Sequence, residues 1–204
     1  MQPPDLRIVR DAPTGQLRKV VTFLEMAAKP DRVRPLRPPA ERLALLRAER
    51  PTVSFYRYLY DTVGERWLWA DRRRMDAAAV AATVQDPRVE VYVLYKAGVP
   101  AGFAELDRRG AAVDLAYFGL IPDFIGQKLG PWFLDWAVDA AWAGQCTRLT
   151  VNTCSFDHPK ALTMYQRAGF MPVRQVTEFV EDPRLTGQMP RSAAPQIALA
   201  RTEP

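Results

Sequence analysis

Hydrophobic positions along the chain switch between two periods, and the switches divide it into elements. Lys19–Met26, Lys-Val-Val-Thr-Phe-Leu-Glu-Met, reads as a strand. From about Ala40 to Val63 apolar residues recur at helical spacing, with Pro51 near a helix start or break. Met75–Val84 predicts a short alanine-rich helix ended by Gln85-Asp86-Pro87. Val89–Tyr95 then alternates, Ala97-Gly98 supplies turn residues, and Pro100–Leu106 is the return strand. Arg109-Gly110 turns into a third strand, Ala112–Leu120, which Pro122 ends. Helical spacing resumes in Pro131–Trp142, where Trp132, Phe133, Trp136 and Ala137 fit a packing face. Arg148–Asn152 is a short strand. Asp157–Ala168 predicts a helix with Asp157 as N-cap, Pro159 in its first turn and Gly169 just past its end. Phe170–Val180 closes the order as a strand, which gives an α/β domain with a mixed sheet rather than a doubly wound one.

Composition narrows the class. Of the 204 residues, 48% are hydrophobic and 25% charged, the balance of a globular domain that can bury a core without staples. No apolar run reaches the ~18 residues of a spanning helix, and the polar, proline-bearing start lacks an apolar signal core. The expectation is therefore a cytoplasmic protein with no membrane contact. Two cysteines cannot build a disulfide framework, and one histidine beside them makes neither an ordinary zinc site nor a histidine-based triad, so no metal is expected. Proline clusters at the start, around Pro35–Pro39 and from Pro183 onward suggest an N-terminal arm, a long loop and a C-terminal tail. The resulting division is an arm over 1–16, one domain over 17–182 and a tail over 183–204.

Charge is uneven. Residues 1–74 carry 16 basic and 9 acidic side chains, against 12 and 14 in the rest, within a net charge of +5. A basic first third suits an anionic partner or a solvated arginine-rich face. Arg72, Arg73 and Arg74 are the densest cluster, too small for a polyanion groove, so nucleic acid is an unlikely partner.

The chemistry concentrates in one strand-loop-helix unit. Strand Val113–Leu120 runs into Asp123-Phe124-Ile125-Gly126-Gln127-Lys128-Leu129-Gly130 and then into the long helix. Backbone N–H groups of such a loop, with the first free N–H groups of the helix, form an anion site. Gly126 and Gly130 let the backbone approach a phosphate. The glycine spacing is wrong for a dinucleotide fingerprint, and no Gly-Lys-Ser/Thr ends the loop as a P-loop would. About thirty residues on stands His158-Pro159-Lys160-Ala161-Leu162-Thr163-Met164-Tyr165-Gln166-Arg167-Ala168-Gly169-Phe170.

Together the two segments resemble the GNAT superfamily of acyl-CoA-dependent N-acyltransferases, over roughly residues 50–180. That family carries Gln/Arg-x-x-Gly-x-Gly/Ala in the first segment and Asn-x-x-Ala-x-x-hydrophobic-Tyr-x-x-x-Gly-Phe in the second. Here Ile125 stands for the Gln or Arg, Lys128 for the middle Gly and His158 for the Asn. The resemblance implies a single domain with a mostly antiparallel central sheet flanked by helices, its cofactor half at about 88–182. It implies acetyl-CoA as acyl donor and a primary amine as acceptor, joined by direct attack in a ternary complex. Gly126, Gln127, Lys128, Leu129 and Gly130 would surround the pyrophosphate, with His158 nearby. Phe118, Gly119 and Leu120 would pair with the pantetheine, and an amide there would polarise the thioester carbonyl. Tyr165 would protonate the departing thiolate, or is instead a core tyrosine beside Phe170.

An attacking amine must lose its proton. Asp114 and, second, Glu105 are the candidate bases, each alternatively a solvated strand residue. Trp67-Leu68-Trp69 lines an acceptor pocket or forms a strand-like core piece. Cys146 and Cys154 read as buried free thiols, and Trp132 and Trp136 as helix packing. The arginine-rich third lies where the family builds its acceptor side, so an anionic group beside the amine is expected. Such folds often pair as homodimers, which nothing in the sequence demands. The rival reading is a GNAT-like module that binds acyl-CoA or a polyanion without catalysis.

Overall fold

The computed structural model describes residues 12–31 and 42–202. Seven strands form one sheet: β1 (Gln16–Met26), β2 (Leu43–Arg47), β3 (Val89–Lys96), β4 (Val99–Asp107), β5 (Val113–Leu120), β6 (Leu149–Cys154) and β7 (Met171–Glu181). Their order is β2-β3-β4-β5-β6-β1-β7. Every neighbouring pair is antiparallel except β5 with β6. Five helices flank the sheet: α1 (Val53–Gly64), α2 (Asp71–Arg74), α3 (Ala77–Val84), α4 (Leu129–Trp142) and α5 (Ala161–Arg167). This is the mixed, mostly antiparallel sheet expected, in one domain.

Strand alternation sends side chains to two cores. On one face Phe133, Leu134, Ala137 and Val138 of α4 pack with Leu24, Leu106, Leu115, Leu149 and Val151. On the other, Tyr56, Leu59, Tyr60 and Val63 of α1 and Val80 and Val84 of α3 cover Val91, Val93 and Phe103.

Several boundaries differ from the sequence reading. Residues 43–47, expected to be helical, are strand β2, pairing with β3 from Leu43↔Lys96 to Arg47↔Tyr92. Over five residues the two periods are indistinguishable, and cross-strand pairing decides. Helix α1 starts after Thr52, whose Oγ1 accepts from Phe55 N at 3.3 Å, and Pro51 stands just before that start, as the sequence reading placed it. The last helix is shorter than expected. Asp157 is not its N-cap: that carboxylate turns back to accept from Cys154 N (2.8 Å) and Thr153 Oγ1 (2.9 Å), and α5 begins at Ala161 behind Lys160. Helix α4 starts at Leu129, two residues before Pro131. Trp67-Leu68-Trp69 is no strand but the end of a 3-10 turn, with Leu68 at φ 55°. The proline cluster at 35–39 and the arm up to residue 11 lie outside the described residues. The stretch read as a tail packs on the sheet instead, burying Met189, Ala193, Ala194 and Ala200 with Leu17 of β1. No helix among the described residues is long and apolar enough to cross a membrane.

Candidate active site

Strands β5 and β6 are paired only at Val113↔Leu149 and Asp114↔Thr150. Beyond that point they part. β5 keeps β4 as far as Gly102↔Leu120, and β6 keeps β1 as far as Val21↔Cys154. The cause is local: between Leu106↔Leu115 and Glu105↔Tyr117 the register skips Ala116, a bulge that bends β5. The opening is a cleft of about 960 Å³, with Leu115–Leu120 on one bank and Asn152 and Cys154 on the other. Gly119 is required here, because a Cβ would overlap Val63 of α1.

At one end the cleft meets the start of α4. Its N-cap, Lys128, makes no side-chain cap bond, and Pro131 has no N–H to offer. The first-turn N–H groups therefore have neither an intrahelical partner nor a side-chain cap. Lys128 stands at φ 60°, the left-handed conformation the family's glycine would take freely, so the turn is kept by a lysine. Gly126 has φ 86° and nothing near its missing Cβ. A Cβ on Gly130 would meet only ordinary contacts with Met164 and Leu120. Lys128 is a cation at this turn, and Lys160 and Arg167 also line the cleft. Gln127 is occupied: Lys96 Nζ donates to its Oε1 (2.5 Å), and its Nε2 donates to Asp123 O (2.8 Å). Such an end suits a phosphorylated ligand.

Phe118, Gly119, Leu120, Gly126, Lys128, Gly130, His158 and Tyr165 thus share one cleft, while Gln127 and Leu129 lie between its lining residues. Tyr165 is 6% exposed and sits edge-on between Phe118 (6.5 Å) and Phe170 (5.9 Å). Burial, then the charges of Asp157 and Asp114, raise its pKa, so the phenol stays protonated. His158 Nδ1 accepts from Lys160 N at 3.1 Å, and burial with nearby Lys160 and Arg66 keeps its ring neutral near pH 7. Burial, then Asp157, pushes the Cys154 thiol up to about 12, so it is no nucleophile near pH 7.

The two carboxylates do not line the cleft. Asp114 stands at the last β5–β6 pair, where Thr150 Oγ1 donates to it at 2.7 Å, and burial raises its pKa. Glu105 is fully buried between Arg72 Nη2 (2.6 Å) and Tyr56 Oη (2.5 Å). The same arginine lies 5.2 Å over the Tyr117 ring, and its backbone N donates to Tyr60 Oη.

Another wall of the cleft holds Trp67, Leu68, Trp69, Asp71 and Arg74, with Lys19 and Glu181 also among the lining residues, and the Trp67 ring stands 5.6 Å from that of His158. Trp69 Nε1 donates to Asp157 Oδ1 at 3.3 Å, which ties this wall to the end of β6. Of the arginine cluster only Arg74 lines the cleft; Arg72 holds Glu105, and Arg73 faces Asp61 at 3.0 Å. The sequence reading missed Asp71, Lys19, Glu181 and buried Asp135 as lining residues. It also took Asp157 for a cap, since an aspartate followed by proline carries the same local signal either way.

The chain belongs to the acetyltransferase (GNAT) family, whose pattern matches residues 49–170. Among solved structures it is similar to a GCN5-related N-acetyltransferase from Sphaerobacter thermophilus, with TM-score 0.59 and 13% identity over 82% of this chain and 53% of that one. It is also similar to one from Kribbella flavida, with TM-score 0.53 and 17% identity over 84% and 61%. The ribosomal-protein-S18-alanine N-acetyltransferase from Escherichia coli gives TM-score 0.52 and 17% identity over 65% and 79%. The chain spans between about half and two thirds of the first two structures. No curated protein matches it.

Proposed function

We propose that the chain moves the acetyl group of acetyl-CoA to the primary amine of a small molecule or peptide, by direct attack in a ternary complex. The observation that carries this reading is the parted β5–β6 edge, with an uncapped α4 N-terminus and a protonated tyrosine on one cleft. The α4 start and its lysines hold the pyrophosphate. The β5 edge along Phe118–Leu120 that faces away from β4 takes the pantetheine, and an N–H there steadies the developing oxyanion. The amine nitrogen attacks the carbonyl carbon; a C–N bond forms and the C–S bond breaks. Tyr165 gives its proton to the leaving thiolate. The amine's proton leaves through water to Asp114, whose raised pKa suits a base. Glu105, tied to Arg72 and Tyr56, serves as a positioning residue under the acceptor wall. Lys19 and Arg74 are the cations on this wall for an anionic group beside the amine, Arg74 sharing its charge with Asp71 at 3.5 Å.

The test is titration of acetyl-CoA into the protein, followed by incubation with a panel of amines and mass detection of products. Saturable binding with an acetylated amine supports the reading. Binding without product on any amine favours a non-catalytic acyl-CoA module, and no binding at millimolar acetyl-CoA overturns the whole proposal.

A further inference from the structure

Residues 183–202 form no helix or strand, and the family pattern ends before them at residue 170. They are nevertheless pinned by a buried ion pair. The side chains of Arg184 and Asp182 are 2% and 0% exposed. Arg184 Nε and Nη2 donate to the two Asp182 oxygens at 2.9 and 2.8 Å. Its remaining reach fans onto carbonyls: Nη1 to Ile197 (2.7 Å), Ala193 and Ala194 (3.3 Å each), and Nη2 to Ala198 (3.0 Å). Asp182 also accepts from Ala200 N at 3.0 Å. One planar guanidinium thus gathers the strap around itself, which a lysine has too few donors to do. Both ends are stitched to one residue, since Asp182 N donates to Gly15 O (3.0 Å) and Gly15 N to Arg201 O (2.7 Å).

The strap lies behind the acceptor wall. Arg73 Nη1 donates to Gln188 O (3.5 Å), Arg74 Nε to Gln188 Oε1 (3.2 Å) and Gln196 Nε2 to Arg66 O (2.5 Å). Met189, Ala193 and Ala194 share one buried cluster with Leu68, Ala70 and Phe156, all three of which line the cleft. Leu68 has φ 55°, a conformation that persists only where its surroundings hold it. The strap's root, Glu181 and Pro183, lines the cleft directly.

Resting on the acyl-transfer reading, we propose that residues 183–202 are the acceptor-selectivity element: the strap holds the Trp67–Arg74 wall in one conformation and excludes bulky amines. The test uses the full chain carrying Gln188→Ala with Gln196→Ala, which removes side-chain ties without altering a cleft-lining residue. Met189→Ala, which thins the packing behind Leu68 and Ala70, is run alongside. Three quantities are read: acetyl-CoA affinity, KM and kcat over amines of graded bulk, and amide exchange in 66–74 against 129–142. Acetyl-CoA affinity and kcat for the best small amine stay within about twofold, while the bulky-to-small ratio of kcat/KM rises about tenfold or more, near 1.4 kcal/mol. Exchange quickens in 66–74 only. A selectivity ratio within about twofold of wild type in both variants overturns the proposal, whatever exchange does. Wild type that binds acetyl-CoA but acetylates no amine overturns the acyl-transfer reading itself, and selectivity falls with it.

Discussion

Two parts of the cleft are built by different means. The part proposed for the cofactor is mostly backbone: a turn at Gly126 and Lys128, the uncapped start of α4, and a β5 edge freed by the bulge at Ala116. The wall proposed for the acceptor is held mostly by side chains brought from afar. Arg72 on α2 reaches Glu105 on β4, Trp69 reaches Asp157, and Arg73 and Arg74 reach Gln188. A backbone site tolerates changed side chains provided the φ values survive, so Ile125 and Lys128 are compatible with the proposed cradle. A site of buried charges and long-range ties tolerates little, because removing one partner strands the other.

That contrast can be broken most forcefully at Arg72. Arg72→Ala leaves Glu105 buried without its cation, and stability should fall by about 3–5 kcal/mol in denaturant unfolding. A loss under about 1 kcal/mol would mean that the charge network does not hold the acceptor end.

Asp182→Asn should cost somewhat less, about 3 kcal/mol at neutral pH, because Arg184 keeps its carbonyl partners. This cost has a pH signature. Burial raises the Asp182 pKa, but Arg184 and the N–H groups of Ala200 and Arg184 outweigh it, so the pKa lies below the ordinary carboxylate value. A depressed folded pKa stabilises above the unfolded value and loses that contribution as pH falls through the folded one. The difference between wild type and Asp182→Asn should therefore be flat from pH 7 to about 5 and shrink below about 4. Unfolding midpoints across that range check it, and a gap already closing at pH 6 would contradict it.

The smallest effect sharpens the comparison from the other side. Lys128→Gly should stabilise the chain by about 0.5–1 kcal/mol, since a lysine at φ 60° carries left-handed strain that glycine does not. Acetyl-CoA should still bind, more weakly by the loss of one cation. Abolished binding would show that the side chain, rather than the backbone turn, makes the cradle.

Legibility follows the same division. The strand-loop-helix unit, the tyrosine of α5 and the succession of elements along the chain from β3 onward were readable, because each has a local signature in period, glycine and proline. Strand β2 was not, since the five residues Leu-Ala-Leu-Leu-Arg fit either period until β3 pairs with them. Asp157 was misread because its partners, Trp69 above all, lie far away in the chain. The strap looked like a tail for the same reason: Pro183, Pro190 and Pro195 signal loop, and nothing local says that Arg184 and Asp182 bury together. Glu105 looked like a strand residue available for catalysis, and only the fold shows Arg72 and Tyr56 enclosing it.

The central claim is that one cleft joins the backbone cradle to Tyr165 for acyl transfer. Tyr165→Phe tests it most directly, with acetyl-CoA affinity and kcat measured on the same protein from pH 6 to 10. Removing one hydroxyl beside Phe118 and Phe170 should leave affinity within about twofold and lower kcat by about 10²–10⁴. Because burial raises the phenol's pKa, wild-type activity should show no loss of the protonated acid up to pH 10. Unchanged kcat at unchanged affinity would contradict the account and return Tyr165 to the core as an ordinary packed ring.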